Sequence, residues 1–347
     1  MSRNLRRKIP VHESDPFGES SVNAGRKTYS LLGARFQFES NNQQLLCLVD
    51  EAYAGLPRHR FSSGQPQFKV KLMVTPAPSR RQLAPPAVRA LQPPPFSMLW
   101  GAGFLGGATP ASTFVVLSPK DKSALVSIAP EMLRYPYHTR YELIEFAVFT
   151  LASRAQSMVS LHAACVGLNG RGILLMGLSG SGKSTLALHC LLNGFDFLSE
   201  DSVFVAPRTM LATAIPNFLH VRGDSLAWLG RSRERALIRR SPVITRRSGV
   251  VKYEVNLRRK EFHLAASPLK IAAVGFLSSR PAGAGPLLHP LPEAKLRARL
   301  NELQAYGARL PQWKEFSRRL ARLEAFEIRR GVHPIQSVHA LRSLLEG

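Results

Sequence analysis

Residues 162–185, HAACVGLNGRGILLMGLSGSGKST, constrain the fold more than any other part of this 347-residue chain. The stretch closes on GLSGSGKST, residues 177–185, a full match to the phosphate-binding pattern G-x-x-x-x-G-K-[ST]. Such a loop needs a buried strand before it and a helix after it. GILLM supplies the strand, and STLALHCLLNG supplies a helix closed by Asn-Gly. Gly177, Gly180 and Gly182 let the backbone curl, so that N–H groups along Leu178, Ser179 and Ser181 turn toward phosphate oxygens. Lys183 would reach the β- and γ-phosphates, and the Ser184 hydroxyl would take Mg²⁺. The helix that runs on through Thr185 adds its positive N-terminal end. The pattern therefore implies ATP and Mg²⁺ as ligands. A second apolar run precedes the loop strand and is joined to it by a Leu-Asn-Gly-Arg-Gly turn, so this strand has an antiparallel neighbour.

That hairpin changes the weight of two other features. A lone His162 is more often structural than chemical. At the start of the hairpin, however, it is returned toward Gly177 and Lys183. Glu200 and Asp201 end an apolar strand, where an acidic pair is often only a turn. Adjacent strand residues point to opposite faces, so one carboxylate faces the phosphates. The other would bind metal at the strand end or serve the fold. His162 within reach of Asp201 would orient that carboxylate or tune its proton affinity, which suits proton abstraction from a hydroxyl.

Composition narrows the classes. The chain is 45% hydrophobic, long enough for two domains with real cores. The basic start carries no apolar signal segment, and no apolar run approaches the roughly 18 residues of a membrane helix. Cys47, Cys165 and Cys190 are widely spaced in apolar surroundings and read as reduced core residues of a cytoplasmic protein. The formal charge of +24 has three readings: nucleic acid, an acidic protein or peptide partner, or an Arg-rich coding bias spread along the chain. It is densest over residues 231–260. No nucleic-acid-reading module accompanies it, so nucleic acid is the weakest of the three.

The expected organisation runs as follows. Residues 1–27 lack an apolar period and are expected to be disordered. Residues 28–155 form an N-terminal α/β domain. It has a strand over 28–40, a helix over 41–56, a strand over 68–74, a Pro-rich loop over 75–96, a hairpin over 112–128 and a buried helix over 139–156. Residues 156–347 form the phosphate-loop domain, with strands near 218–222, 250–257 and 270–278 and a helical tail from about 292.

Residues 162–205 resemble the catalytic domain of HPr kinase/phosphorylase, and more closely the HPr-kinase-related proteins. The resemblance rests on His162 opening the hairpin, the GLSGSGKS loop, a helix ending at Gly194 and the Glu200–Asp201 pair. It implies a mixed sheet akin to that of phosphoenolpyruvate carboxykinase, which explains the hairpin. It also implies an ATP-dependent serine kinase acting on a protein or peptide hydroxyl. Asp201 would be the proton acceptor, His162 its neighbour, Lys183 and Ser184 the phosphate and Mg²⁺ contacts, and Glu200 a metal-side acid. There are departures. Glu200 stands where the kinases usually have Asp. LHVRG, residues 219–223, sits where they carry L-E-I-R-G, so His220 replaces a metal-holding Glu and a phosphorylase activity becomes doubtful. Arg222 is retained, as a phosphate contact or a strand-end charge. Arg258 and Arg259 are weaker phosphate candidates. Residues 1–155 carry no usable resemblance and would recognise substrate or hold a homo-oligomer together. The competing reading is a nucleotide-binding regulatory or assembly module without phosphotransfer.

Overall fold

The computed structural model describes residues 24–61, 64–75, 95–109 and 113–347. Most of the expected disordered N-terminus and most of the Pro-rich loop lie outside the described residues.

The N-terminal half is built on one seven-stranded mixed sheet. Its strands are β1 (Gly25–Leu31), β2 (Ala34–Ser40), β3 (Gln67–Val74), β4 (Ser97–Gly101), β5 (Phe104–Ala108), β6 (Phe114–Ser118) and β7 (Ser123–Ile128). They run in the order β1-β2-β3-β7-β6-β5-β4. Two expectations are corrected here. Residues 25–27 belong to β1 and not to a disordered tail. Residues 28–40 are also not one strand: Leu32 and Gly33 take positive φ values of 52° and 77° and fold the segment into the β1–β2 hairpin. Helix α1 (Gln43–Tyr53) starts where Asn42 Oδ1 accepts the Leu45 N–H at 3.1 Å, a side-chain N-cap. The segment α2 (Pro136–His138), a π-helical turn (Thr139–Ile144) and α3 (Glu145–Ala155) form one continuous rod. Leu143, Ile144, Ala147, Val148 and Leu151 of this rod are buried with Phe36, Phe38 and Phe68 of the sheet. Each of these side chains apart from Ala147 contributes about 1.5–3 kcal/mol by burial.

The second half carries the phosphate loop. Its strands are β8 (Val159–His162), β9 (Ala164–Leu168), β10 (Arg171–Met176), β11 (Asp196–Ser199), β12 (Ser202–Ala206), β13 (Leu211–Thr213), β14 (Phe218–Val221), β15 (Val243–Thr245), β16 (Val251–Asn256), β17 (Leu269–Pro281), β18 (Leu288–Pro290) and β19 (Glu324–Arg330). Its helices are α4 (Lys183–Leu192), α5 (Arg233–Arg239), α6 (Glu293–Leu303), α7 (Trp313–Leu320) and α8 (Pro334–Glu346). The main sheet runs β11-β9-β10-β17-β13-β12-β8, with β19 beside β17, and β14-β16-β15 form a small separate sheet. The expected hairpin is β9–β10, with Ala164 opposite Leu175. On its other side β10 is parallel to β17, so the sheet is mixed and the chain is an α/β protein.

The tail is not all helical. LEAF, read as the end of a helix, enters β19, which runs parallel to β17 from Glu324 opposite Ala273. Leu, Glu, Ala and Arg favour helix locally, but pairing with a buried central strand outweighs that preference. Among the described residues no helix is long and apolar enough to cross a membrane.

The two halves are joined through buried polar contacts. The His59 ring places Nδ1 2.7 Å from Thr213 Oγ1 and Nε2 2.9 Å from the Ala265 carbonyl. Burial lowers the His59 pKa. His189, on α4, is pushed down to about 4 by burial and by the neighbouring His333. A histidine whose folded pKa lies below its unfolded value, near 6.5, gives its full stability above that value and loses it as pH falls. His220 is shifted the opposite way, so the test is a difference. Between pH 7 and pH 5 the wild type should lose about 1–2 kcal/mol more than His189→Phe, read from urea midpoints. Equal losses would show that His189 does not titrate in this window.

Candidate active site

The sheet order places the phosphate loop and the acidic pair side by side. Strands β8 and β9 run antiparallel to β12 and β11: Ser202 faces His162 and Ser199 faces Cys165. The ladder is interrupted between these pairs, where the Ala163 N–H donates to the Asp201 carbonyl at 3.1 Å. Glu200 and Asp201 occupy this break and splay to different surroundings.

The loop leaves β10 at Met176 and enters α4 at Lys183. At Gly177 a Cβ would lie 2.6 Å from Ser181 Oγ and 3.2 Å from the Leu277 carbonyl, so the curl admits no side chain there. Gly182, with φ of 98°, turns the chain into the helix through a conformation that favours glycine. Lys183 Nζ donates to the carbonyls of Gly177 at 2.6 Å and Leu178 at 3.2 Å, which hold it beneath the loop. Burial lowers its pKa, opposed by the charge of Asp201. Thr185 Oγ1 lies 3.0 Å from Ser225 Oγ.

His162 Nδ1 sits 2.7 Å from Asp201 Oδ1. Tyr141 OH, from the π-helical turn, donates to Asp201 Oδ2 at 3.3 Å, and Arg246 Nη2 lies 3.7 Å from the same oxygen. Burial would raise the Asp201 pKa, but the His162 hydrogen bond and the charges of His162, Arg246 and Lys252 hold it well below the carboxylate range. Glu200 turns the other way and is buried. Its Oε1 accepts the His220 backbone N–H at 2.7 Å and lies 3.1 Å from His220 Nδ1, while Oε2 is buried without a partner. His220 Nε2 lies 3.2 Å from Glu254 Oε1. Burial would lower the His220 pKa, but its hydrogen bonds to Glu200 and Glu254 raise it, so the imidazolium is favoured between two carboxylates.

His162, Lys183, Glu200, Asp201, His220 and Arg246 line one cleft of about 510 Å³, which Tyr141 and Glu254 do not border. The loop residues 179–185, His162, Glu200, Asp201 and Arg222 all border it. Arg222 is exposed and pairs with Asp224 at 3.0 Å. Arg258 and Arg259, read as weaker phosphate candidates, do not border this cleft. The Arg258 guanidinium stacks on Phe218 and donates to the Glu51 carbonyl of the N-terminal half, and Arg259 is exposed away from the cleft. In their place the cleft is bordered by Arg246, Lys252, Arg329 and Arg330. Lys252, Arg329 and Arg330 make no ion pair among the described residues, and Arg329 Nε is buried without a partner. Alternation in VKYEVN could have flagged Lys252. Arg329 and Arg330 lie on β19, whose residues favour helix, so local sequence does not place them at the cleft. Tyr141 had no sequence signal at all.

The donor set fits a magnesium-nucleotide. Unpaired cations, a curled glycine loop, the Ser184 hydroxyl and the orphaned Glu200 Oε2 share one cleft. Among the described residues no three His, Cys, Asp or Glu side chains are grouped to hold a metal alone.

No protein-family model matches the chain. Over 124 residues the chain is 27% identical to the HPr kinase/phosphorylase of Geobacter sulfurreducens, a match covering 33% of this chain and 39% of that protein. The chain thus aligns with about two fifths of this curated relative. The structure of the Hpr(Ser) kinase/phosphatase from Coxiella burnetii matches at 14% identity, over 54% of this chain and 99% of that one, with a TM-score of 0.28. The resemblance to HPr kinase/phosphorylase-like proteins is borne out by the curated relative.

Proposed function

We propose that this chain is an ATP-dependent kinase that transfers the γ-phosphate to a hydroxyl of a protein or peptide. The observation that carries the reading is the Asp201 carboxylate, held at 2.7 Å by His162 in the same cleft as Lys183 and its loop. Bound MgATP supplies the electrophilic phosphorus and the metal charge, with Ser184 and Glu200 the residues to hold the metal. Asp201 takes the acceptor's proton as the new O–P bond forms and the bond to the ADP oxygen breaks. A carboxylate held so low accepts a proton poorly. Negative charge entering the cleft offsets Arg246 and Lys252 and raises its basicity when the acceptor is in place. Lys183, Arg246, Lys252, Arg329 and Arg330 spread the charge of the transferring group. The cations without carboxylate partners favour an acceptor with acidic neighbours.

Replacing Lys183 by Ala removes a charged donor to phosphate, an interaction of about 1.5–3 kcal/mol. We expect ATP affinity to fall about 10- to 150-fold, measured by calorimetry. Unchanged affinity would place the nucleotide elsewhere. Labelled γ-phosphate transfer into a lysate of the native host tests the reaction itself. Wild-type protein that binds ATP and labels no target would favour the sensing module over the kinase.

A further inference from the structure

Among the described residues, strand β4 is the outer edge of the seven-stranded sheet and pairs only with β5. All five of its residues are exposed: Trp100 at 80%, Leu99 at 54% and Met98 at 50%, flanked by Ser97 and Gly101. Phe104, at the start of β5, is 49% exposed beside them. Edge strands are ordinarily protected by Lys, Pro, a bulge or a covering element, because their free N–H and C=O groups template further pairing. Ser-Met-Leu-Trp-Gly carries none of these residues.

Two further observations say what covers this edge. The first is charge. Residues 90–119 contain no Asp, Glu, Lys or Arg, in a chain that is 20% charged with a net +24. Two copies of so basic a chain repel at most approaches, and an edge without charge is where they meet without that cost. The second is the strand's own neighbour. Met98 lies opposite Gly107 and Leu99 opposite Gly106, so β5 offers these side chains nothing to pack against. Neither glycine has room for more: a Cβ on Gly106 would lie 2.1 Å from the Val115 carbonyl, and one on Gly107 2.3 Å from the Phe96 ring.

We infer that β4 pairs with β4 of a second copy about a twofold axis through Leu99, joining the two sheets into one. In this antiparallel register Leu99 faces Leu99 of the second copy, and Met98 faces Trp100 of the second copy. The cross-strand partners that β5 lacks are then supplied by the same five residues. A twofold contact is self-complementary by construction, and this strand is apolar on both sides of its centre.

The test uses the full chain. Light scattering at tens of micromolar should give twice the 38.3 kDa chain mass. Leu99→Lys and Trp100→Glu should each weaken association at least 30-fold while leaving the melting curve of the monomer unchanged, since both sites are exposed in the single chain. Leu99→Cys, made with Cys47→Ser to remove the exposed native thiol, should be linked to itself by a short bis-maleimide. Val332→Cys, at a still more exposed position, should not. A monomeric wild type would overturn the inference, leaving an extended peptide as the occupant of the edge. So would a dimer that survives both substitutions, or equal cross-linking at residues 99 and 332.

Discussion

Asp201→Asn should abolish phosphotransfer while leaving nucleotide binding intact. The substitution keeps the side chain's shape and one oxygen to accept from His162 Nδ1, now 2.7 Å from the carboxylate. It removes the negative charge and the proton-accepting group. The loop glycines, Lys183 and Ser184 are untouched, so the ATP dissociation constant should stay within about threefold of wild type or tighten, because a carboxylate near the phosphates is lost. A positioned general base contributes about 10²- to 10⁴-fold, and transfer should fall by that factor. Lys183→Ala has the opposite signature, with affinity lost first, and the pair of variants separates binding from chemistry. If Asp201→Asn transfers within tenfold of wild type, the proton leaves by another route and the proposed role of the His162–Asp201 pair is wrong.

What the sequence makes legible follows from how local each signal is. The phosphate loop, the β9–β10 hairpin and α4 are written in contiguous residues, with glycines and apolar alternation dictating the backbone. The hairpin points His162 toward the loop, but its place beside Asp201 is set by the pairing of β8 with β12, which no contiguous pattern encodes. The β1–β2 turn at Leu32–Gly33 is not legible because apolar alternation continues through it, with one glycine to mark the fold-back. β19 is not legible for a different reason: its residues favour helix, and β17 offers it a parallel edge. The positions of Tyr141, Glu254 and Arg258 depend on how the two halves pack, and no local pattern encodes that. His220 could be seen to break the L-E-I-R-G pattern, but its place between Glu200 and Glu254 could not.

Arg140→Met should be the most destabilising single substitution at the junction of the two halves. Arg140 projects from the π-helical turn and is 1% exposed. Its guanidinium lies 2.5 Å from Glu254 Oε1 on β16 and 3.3 Å from Glu145 Oε1, and it stacks on Phe218 at 4.2 Å. Glu254 in turn contacts His220, which holds Glu200, so one chain of buried charges runs from the N-terminal half to the acidic pair. Burial raises the Glu145 pKa, and Arg140 is the main opposing influence. Removing the cation leaves Glu145 and Glu254 buried with less compensation. Breaking a buried pair in this way costs about 3–5 kcal/mol. The thermal midpoint should drop by several degrees or more, and the urea transition should broaden or split as the halves uncouple. The desolvated charges, not the lost packing, cause this loss. Adding Glu145→Gln to Arg140→Met should therefore recover part of it, because Asn217 Nδ2, now 2.8 Å from Glu145 Oε1, can still donate to the amide oxygen. A loss under about 1 kcal/mol in Arg140→Met would show that Arg140 does not hold the halves together. A double variant no more stable than the single one would show that packing, and not charge, sets the cost.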